Sequence, residues 1–145
     1  MDLPRPAACA IVLRMGESTH RHTVLLVEDD YDTRDAFMEI ARMLDHEPFG
    51  VANGKEALAA LHGGLRPCII VLDIAMPEMD GFEFRRAQLA DPAIADIPVA
   101  VMSGGGWATE ADARRLGITV FLRKPVVPDN LIEVFAGHCA GRSSS

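Results

Sequence analysis

The sequence predicts an α/β protein built around a parallel sheet, and three observations predict it. Short apolar runs alternate with segments whose apolar residues recur at helical spacing, the pattern of βαβ units. The runs are nearly continuous rather than alternating, as strands covered on both faces require. Acidic, hydroxyl and basic residues follow several of those runs directly, where the open end of a parallel sheet meets its ligands. At 145 residues, 49% of them apolar and 24% charged, the chain has the size and balance of one folded domain with a sizeable core.

Taken in order, Thr23 to Val27 is an apolar first strand that ends in Glu28, Asp29 and Asp30. Ala36, Phe37, Ile40, Ala41 and Leu44 share one face of a helix that starts near Asp32 and stops before Pro48. Phe49 to Val51 is a short second strand, and Asn53 is the expected cap of a helix that carries Ala57, Leu58 and Leu61 and ends at Gly63 and Gly64. Cys68 to Leu72 is the third strand, apolar and β-branched at its centre, and it delivers Asp73 at its carboxyl end. A turn with Pro77, Asp80 and Gly81 leads into a helix from about Phe82 to Ala90, and Met76, Pro77 and Met79 are expected to shape that turn. Pro98 to Met102 is the fourth strand, opening into Ser103 and Gly104 to Gly106, before a short helix from Glu110 to Leu116 closed by Gly117. Val120 to Leu122 is the fifth strand. Pro128 suits the first turn of a last helix that turns Leu131, Val134 and Phe135 to the sheet.

Residues 1–22 show no sustained period and are expected to be a flexible extension, with Met15 a possible alternative start. The folded domain is expected over 23–140, followed by a polar tail at 141–145. The net charge of −7 opposes phosphate polymers and anionic membrane surfaces, so neither nucleic acid nor membrane is expected as a partner. Cys9, Cys68 and Cys139 are odd in number and widely spaced, which suggests neither a disulfide framework nor a zinc site and fits a reducing cytoplasm. The apolar run nearest to a span, Ala7 to Leu13, is far below the roughly 18 residues that cross a bilayer.

Glu28 and Asp29, Asp73, Ser103 and Lys124 would converge on one cleft at the carboxyl ends of the strands. Singly, each has an ordinary explanation: an acidic helix cap, a loop serine, a surface lysine. Together they define a chemistry. Crowded carboxylates repel unless a cation sits among them, and the hard oxygen donors suit magnesium, whereas calcium wants more ligands than these strand ends offer. One carboxylate could then act as nucleophile toward phosphorus while Lys124 and the Ser103 hydroxyl hold the oxygens of the transferred group, which is phosphoryl transfer to an aspartate.

The segments VLLVEDD (Val24 to Asp30), VLDIAMPEMDG (Val71 to Gly81), VMSG (Val101 to Gly104) and FLRKP (Phe121 to Pro125) together resemble the receiver domain of bacterial two-component response regulators. The resemblance covers about Thr23 to Cys139, and Asp29, Asp73, Ser103 and Lys124 follow at intervals of 44, 30 and 21 residues, the last about one shorter than usual in the family. It implies a flavodoxin-like (βα)5 fold with strand order 2-1-3-4-5. By matching position, Asp73 would be the phosphoacceptor, loaded from the phosphohistidine of a histidine kinase. Asp29 would ligate Mg2+ directly, Glu28 through a bound water, and Ala75 through its backbone carbonyl. Ser103 and Lys124 would bond the new phosphoryl group, Phe121 would be the aromatic switch, and the Lys124–Pro125 peptide would be cis.

Three features depart from the family's habit. Phe121 lacks a hydroxyl, so switching would be by packing alone. Gly104 to Gly106 widens access to the acyl phosphate and implies its fairly fast loss, or easy phosphorylation by small donors. The fourth helix is short, and its loop carries Trp107, which would cover that face or meet a partner. About twenty residues follow Lys124, so a stand-alone switch rather than an enzyme is expected, acting through its α4–β5–α5 face on an effector protein. The alternatives are passage of the phosphoryl group to a histidine phosphotransfer protein, or an interaction module that works without phosphate. A hydrolase of the haloacid dehalogenase type would need a second Asp where Ala75 stands, and a nucleotide-binding domain would need a glycine-rich cradle after the first strand.

Overall fold

The computed structural model describes residues 22–76, 78–104 and 107–140. The extension before residue 22, the tail at 141–145, Pro77, and Gly105 and Gly106 lie outside the described residues, and so does the expectation placed on each. Among the described residues, five strands, β1 (Thr23–Val27), β2 (Glu47–Val51), β3 (Ile69–Asp73), β4 (Val99–Ser103) and β5 (Val120–Arg123), alternate with five helices. The helices are α1 (Tyr31–Met43), α2 (Gly54–His62), α3 (Gly81–Leu89), α4 (Trp107–Arg115) and α5 (Pro128–Phe135), the last running into a wider π-type turn over Ala136–Ala140. All strand pairs are parallel, in the order β2-β1-β3-β4-β5. This is the flavodoxin-like order that the resemblance implied.

Period-2 alternation of the strand residues divides the core into two layers. Val24 and Leu26, Ile69 and Val71, and Ala100 and Met102 pack with Phe37 and Ala41 of α1 and Leu131 and Phe135 of α5. Their neighbours Leu25 and Val27, Ile70 and Leu72, and Val99 and Val101 pack with Ala57 and Leu61 of α2, Phe84 of α3 and Ala113 of α4. The expected cap at Asn53 is present, its side chain accepting the Glu56 amide. Gly117 closes the end of α4 at φ +78, a conformation that other residues rarely adopt.

The differences from the sequence reading have local causes. β2 begins at Glu47 rather than Phe49 and takes in Pro48, which is tolerated because β2 is an edge strand. Its entry is fixed by the Glu47 amide, which donates to the His22 carbonyl at 2.8 Å, so His22 is already engaged with the sheet. α4 begins at Trp107, three residues before the expected Glu110. Ala36 is exposed rather than in the core. Cys68 is disulfide-bonded, contrary to the expectation that the cysteines make no bridge. Wide spacing along the chain said nothing about which side chains the crossovers bring together. Among the described residues no helix is long and apolar enough to cross a membrane.

Candidate functional site

Each functional side chain stands at the carboxyl end of a strand because buried pairing runs up to it and stops there. β1 pairing is prolonged by the Glu28 amide, which donates to the Val51 carbonyl at 3.0 Å, and this leaves Glu28 only 3% exposed. The next two acids separate in role. Asp30 caps α1, its carboxylate accepting the Thr33 amide at 2.9 Å and the Thr33 hydroxyl at 2.6 Å. Those hydrogen bonds, the hydroxyl's first, hold the Asp30 carboxyl below its usual range. Asp29, exposed, is left to face the cleft with Glu28.

Asp73 is the last residue of β3 and 2% exposed. Its Oδ1 accepts the Ala75 amide at 3.2 Å and its Oδ2 accepts from Lys124 Nζ at 2.9 Å. The loop that follows returns tightly: the Gly81 amide donates to the Ile74 carbonyl at 2.9 Å, and a Cβ on Gly81 would lie 3.0 Å from the Asp73 carbonyl oxygen. Asp80 and Glu83 then form a reciprocal capping box that starts α3. Met79 shapes the same loop, as expected, by packing against Gly54. Lys124 follows β5 directly and is joined to Pro125 by a cis peptide, and its amide donates to the Ser103 carbonyl at 2.9 Å. Ser103 closes β4 and is half-buried.

The cleft measures about 640 Å3 and joins Glu28, Asp29, Asp73, Ala75 and Lys124 to an apolar wall that includes Phe37 and Met102. Carboxylate oxygens of Glu28, Asp29 and Asp73 lie within 4.8 Å of one another. Burial first, then the charge of Asp73, pushes the Glu28 carboxyl up to about 7, against the opposing pull of the Asp30 amide and Lys124. Partial burial draws Lys124 down, but the hydrogen bond and charge of Asp73, with Glu28 and Asp29, outweigh it and leave the ammonium raised. Glu28 Oε2 accepts the Asp30 amide, whereas Oε1 is buried with no hydrogen-bond partner among the described residues. A buried carboxylate oxygen without a donor, facing two more carboxylates, fits a hard divalent cation; the donors are all oxygen.

Phe121 is half-buried on β5, with the Arg114 guanidinium of α4 over its ring at 4.8 Å. Arg123 lies 3.8 Å from Glu110 of the same helix. The side chain of Trp107 is outside the described residues. The sequence reading missed Arg34, whose guanidinium donates to the Glu28 carbonyl at 2.7 Å. A basic residue one helical turn inside α1, beside an acidic strand end, was the available signal.

Residues 24–136 match the response regulator receiver domain family, and the chain belongs to it. It is 38% identical over 122 residues to an uncharacterised 14.6 kDa protein of Leptolyngbya boryana, covering 80% of this chain and 88% of that one. Other curated relatives are longer, and the chain spans 24% of one and 54% of another. Among solved structures it is similar to the chemotaxis protein CheY4 of Vibrio cholerae, with a TM-score of 0.76 and 26% identity over 82% of this chain and 99% of that one. The receiver domain of the Pseudomonas aeruginosa sensor histidine kinase PA1611, described with magnesium coordinated in its active-site cleft, shares the fold with a TM-score of 0.75 at 20% identity, over 83% of this chain and 99% of that one.

Proposed function

We propose that the chain is a phosphoacceptor switch that takes a phosphoryl group from the phosphohistidine of a histidine kinase onto Asp73. The observation that carries this is the buried Asp73 carboxylate, held on one oxygen by Lys124 Nζ at 2.9 Å and set within 4.8 Å of two further carboxylates. In the transfer an Asp73 oxygen forms a bond to phosphorus, the N–P bond of the donor breaks, and the imidazole leaves with its electron pair and takes up a proton. Lys124 fixes the carboxylate and meets the charge of the incoming group, and burial excludes competing water. Glu28, Asp29, Asp73 and the Ala75 carbonyl would hold Mg2+, which neutralises charge on the transferred oxygens. The chain's role is that of a switch rather than a turnover enzyme, its output carried by contacts at the face formed by α4, β5 and α5.

The test is incubation with acetyl phosphate or phosphoramidate, with and without Mg2+, followed by intact mass for the wild type and Asp73→Asn. The expected result is a Mg2+-dependent gain of one phosphoryl group that Asp73→Asn abolishes. Gain that survives in Asp73→Asn would place the acceptor elsewhere. Transfer onward to a histidine phosphotransfer protein, measured on the loaded chain, separates a relay from a terminal switch.

A further inference from the structure

We infer that Arg34 is a positioning residue for the acidic cluster, and that Gly50 is glycine to let it act. This deepens the reading of that cluster as a magnesium site and rests on it. Arg34 lies in the second turn of α1, and its guanidinium NH1 donates to the backbone carbonyl of Glu28 at 2.7 Å. That carbonyl belongs to the peptide joining Glu28 to Asp29. Fixing its direction fixes the plane from which both carboxylates are launched. The other end of the same residue is held by the Glu28 amide on the Val51 carbonyl. The turn between strand and helix is therefore pinned on both sides.

A second, independent observation comes from β2. A Cβ on Gly50 would stand 3.0 Å from Arg34 Cδ, 3.2 Å from Arg34 Cγ and 2.7 Å from Met38 Sδ. The arginine stem thus lies across the strand in space that any other residue would occupy. The guanidinium also lies over the Tyr31 ring, 5.5 Å from its centroid, a cation–π contact on its other side. Lysine keeps the charge but cannot reproduce a planar fork held between a ring and a carbonyl.

Geometry and charge make opposite forecasts. If Arg34 acts by orienting the peptide, its loss weakens metal binding by about tenfold, as loss of an outer-shell partner does. If only its charge matters, removing a cation near the site tightens Mg2+ binding. Mg2+ alone is titrated into the full chain, read by calorimetry and by the amide shifts of Asp29 and Asp73, with thermal melts run beside it. The expected result is about tenfold weaker binding for both Arg34→Ala and Arg34→Lys. Gly50→Ala should weaken binding in the wild type but add nothing in the Arg34→Ala background, since the flexible Met38 thioether can swing aside and only the displaced arginine stem reaches the cluster. Unchanged or tighter binding in Arg34→Ala, or a Gly50→Ala effect that survives without Arg34, overturns the inference. Should Arg34→Ala fail to fold, Arg34→Gln and Gly50→Ala carry the same test. A wild type that shows no saturable Mg2+ binding overturns the magnesium reading itself, an outcome distinct from wild-type binding that Arg34 does not influence.

Discussion

Glu28 and Asp30 stand two residues apart and do opposite work. Asp30 has its carboxylate saturated by Thr33 and serves the helix, whereas Glu28 keeps an oxygen without a donor and serves the cleft. The sequence showed that an acidic triplet ended the first strand, and helix capping and ligand binding both fitted it; hydrogen bonds divide the triplet between the two. Asp73 was legible from its place at the end of a fully apolar run, whereas Lys124, behind Arg123 and readable singly as a surface lysine, stood out only together with the other strand ends. Arg34 was marked only by being a basic residue one turn inside α1 beside an acidic strand end, and that signal does not name its target, which is a backbone carbonyl. Two predictions belong at this scale. Asp30→Ala should lower the urea midpoint through loss of the cap while leaving phosphoryl uptake in place. Lys124→Ala leaves the buried Asp73 facing two carboxylates without a cation. It should destabilise the metal-free chain by about 1–2 kcal/mol, less than a wholly buried pair because the Lys124 side chain is 36% exposed. Mg2+ should restore part of that loss, and a Lys124→Ala midpoint equal to the wild type would show that the ion pair contributes nothing.

At the scale of elements, α3 is the one whose interior the sequence misrepresents. Its approximate span was readable, but Arg85 and Gln88 are buried in it, beside Phe84, while Leu89 is 41% exposed. Arg85 Nε donates to the Leu116 carbonyl at 2.9 Å, satisfying the end of α4, and Arg85 NH1 donates to Gln88 Oε1 at 2.8 Å. Gln88 Nε2 in turn donates to the carbonyls of Ile94 and Ile97, closing the connection to β4. The reason the pattern misled is physical: these polar groups are buried because three backbone carbonyls of irregular segments need donors, and those carbonyls exist only in the assembled fold. Desolvation lowers the Arg85 guanidinium from its ordinary range, yet its hydrogen bonds keep it in place. Gln88→Leu fills the same space and strips two carbonyls of their donor, so a loss of about 2–4 kcal/mol in the urea midpoint is expected. Arg85→Met and Gln88→Leu should be non-additive, because the first breaks a bond that the second also breaks. Additive losses would mean that the two side chains act separately.

Across the whole molecule, strand order and the meeting of the strand ends followed from alternation and from family resemblance, whereas the end of the sheet away from the cleft carried little signal. There His46 lies edge-on to His22 and to Phe135 of α5, with ring centroids 5.8 Å apart in both cases. Its Nδ1 is buried with no hydrogen-bond partner among the described residues. The imidazole is thus used as an apolar ring, which no local pattern around His46 announces. Burial, and then His22, holds its pKa below 6.5, against the opposing influence of neighbouring Asp45; Arg42 and Glu47 border the same hollow. A base whose folded pKa is lowered binds its proton more readily in the unfolded chain. Its contribution to stability is therefore complete above pH 6.5 and is lost as the pH falls from there toward the lowered folded value. His46→Phe keeps the edge-on packing against Phe135 and cannot be protonated. Urea unfolding between about pH 5 and 7 should show a wild-type curve that declines toward acid and a flatter one for the variant, the two lying closest near neutrality. Parallel curves would move the acid sensitivity to other groups, whereas convergence above pH 6.5 would assign it to one ring at the foot of the sheet, far along the strands from Asp73.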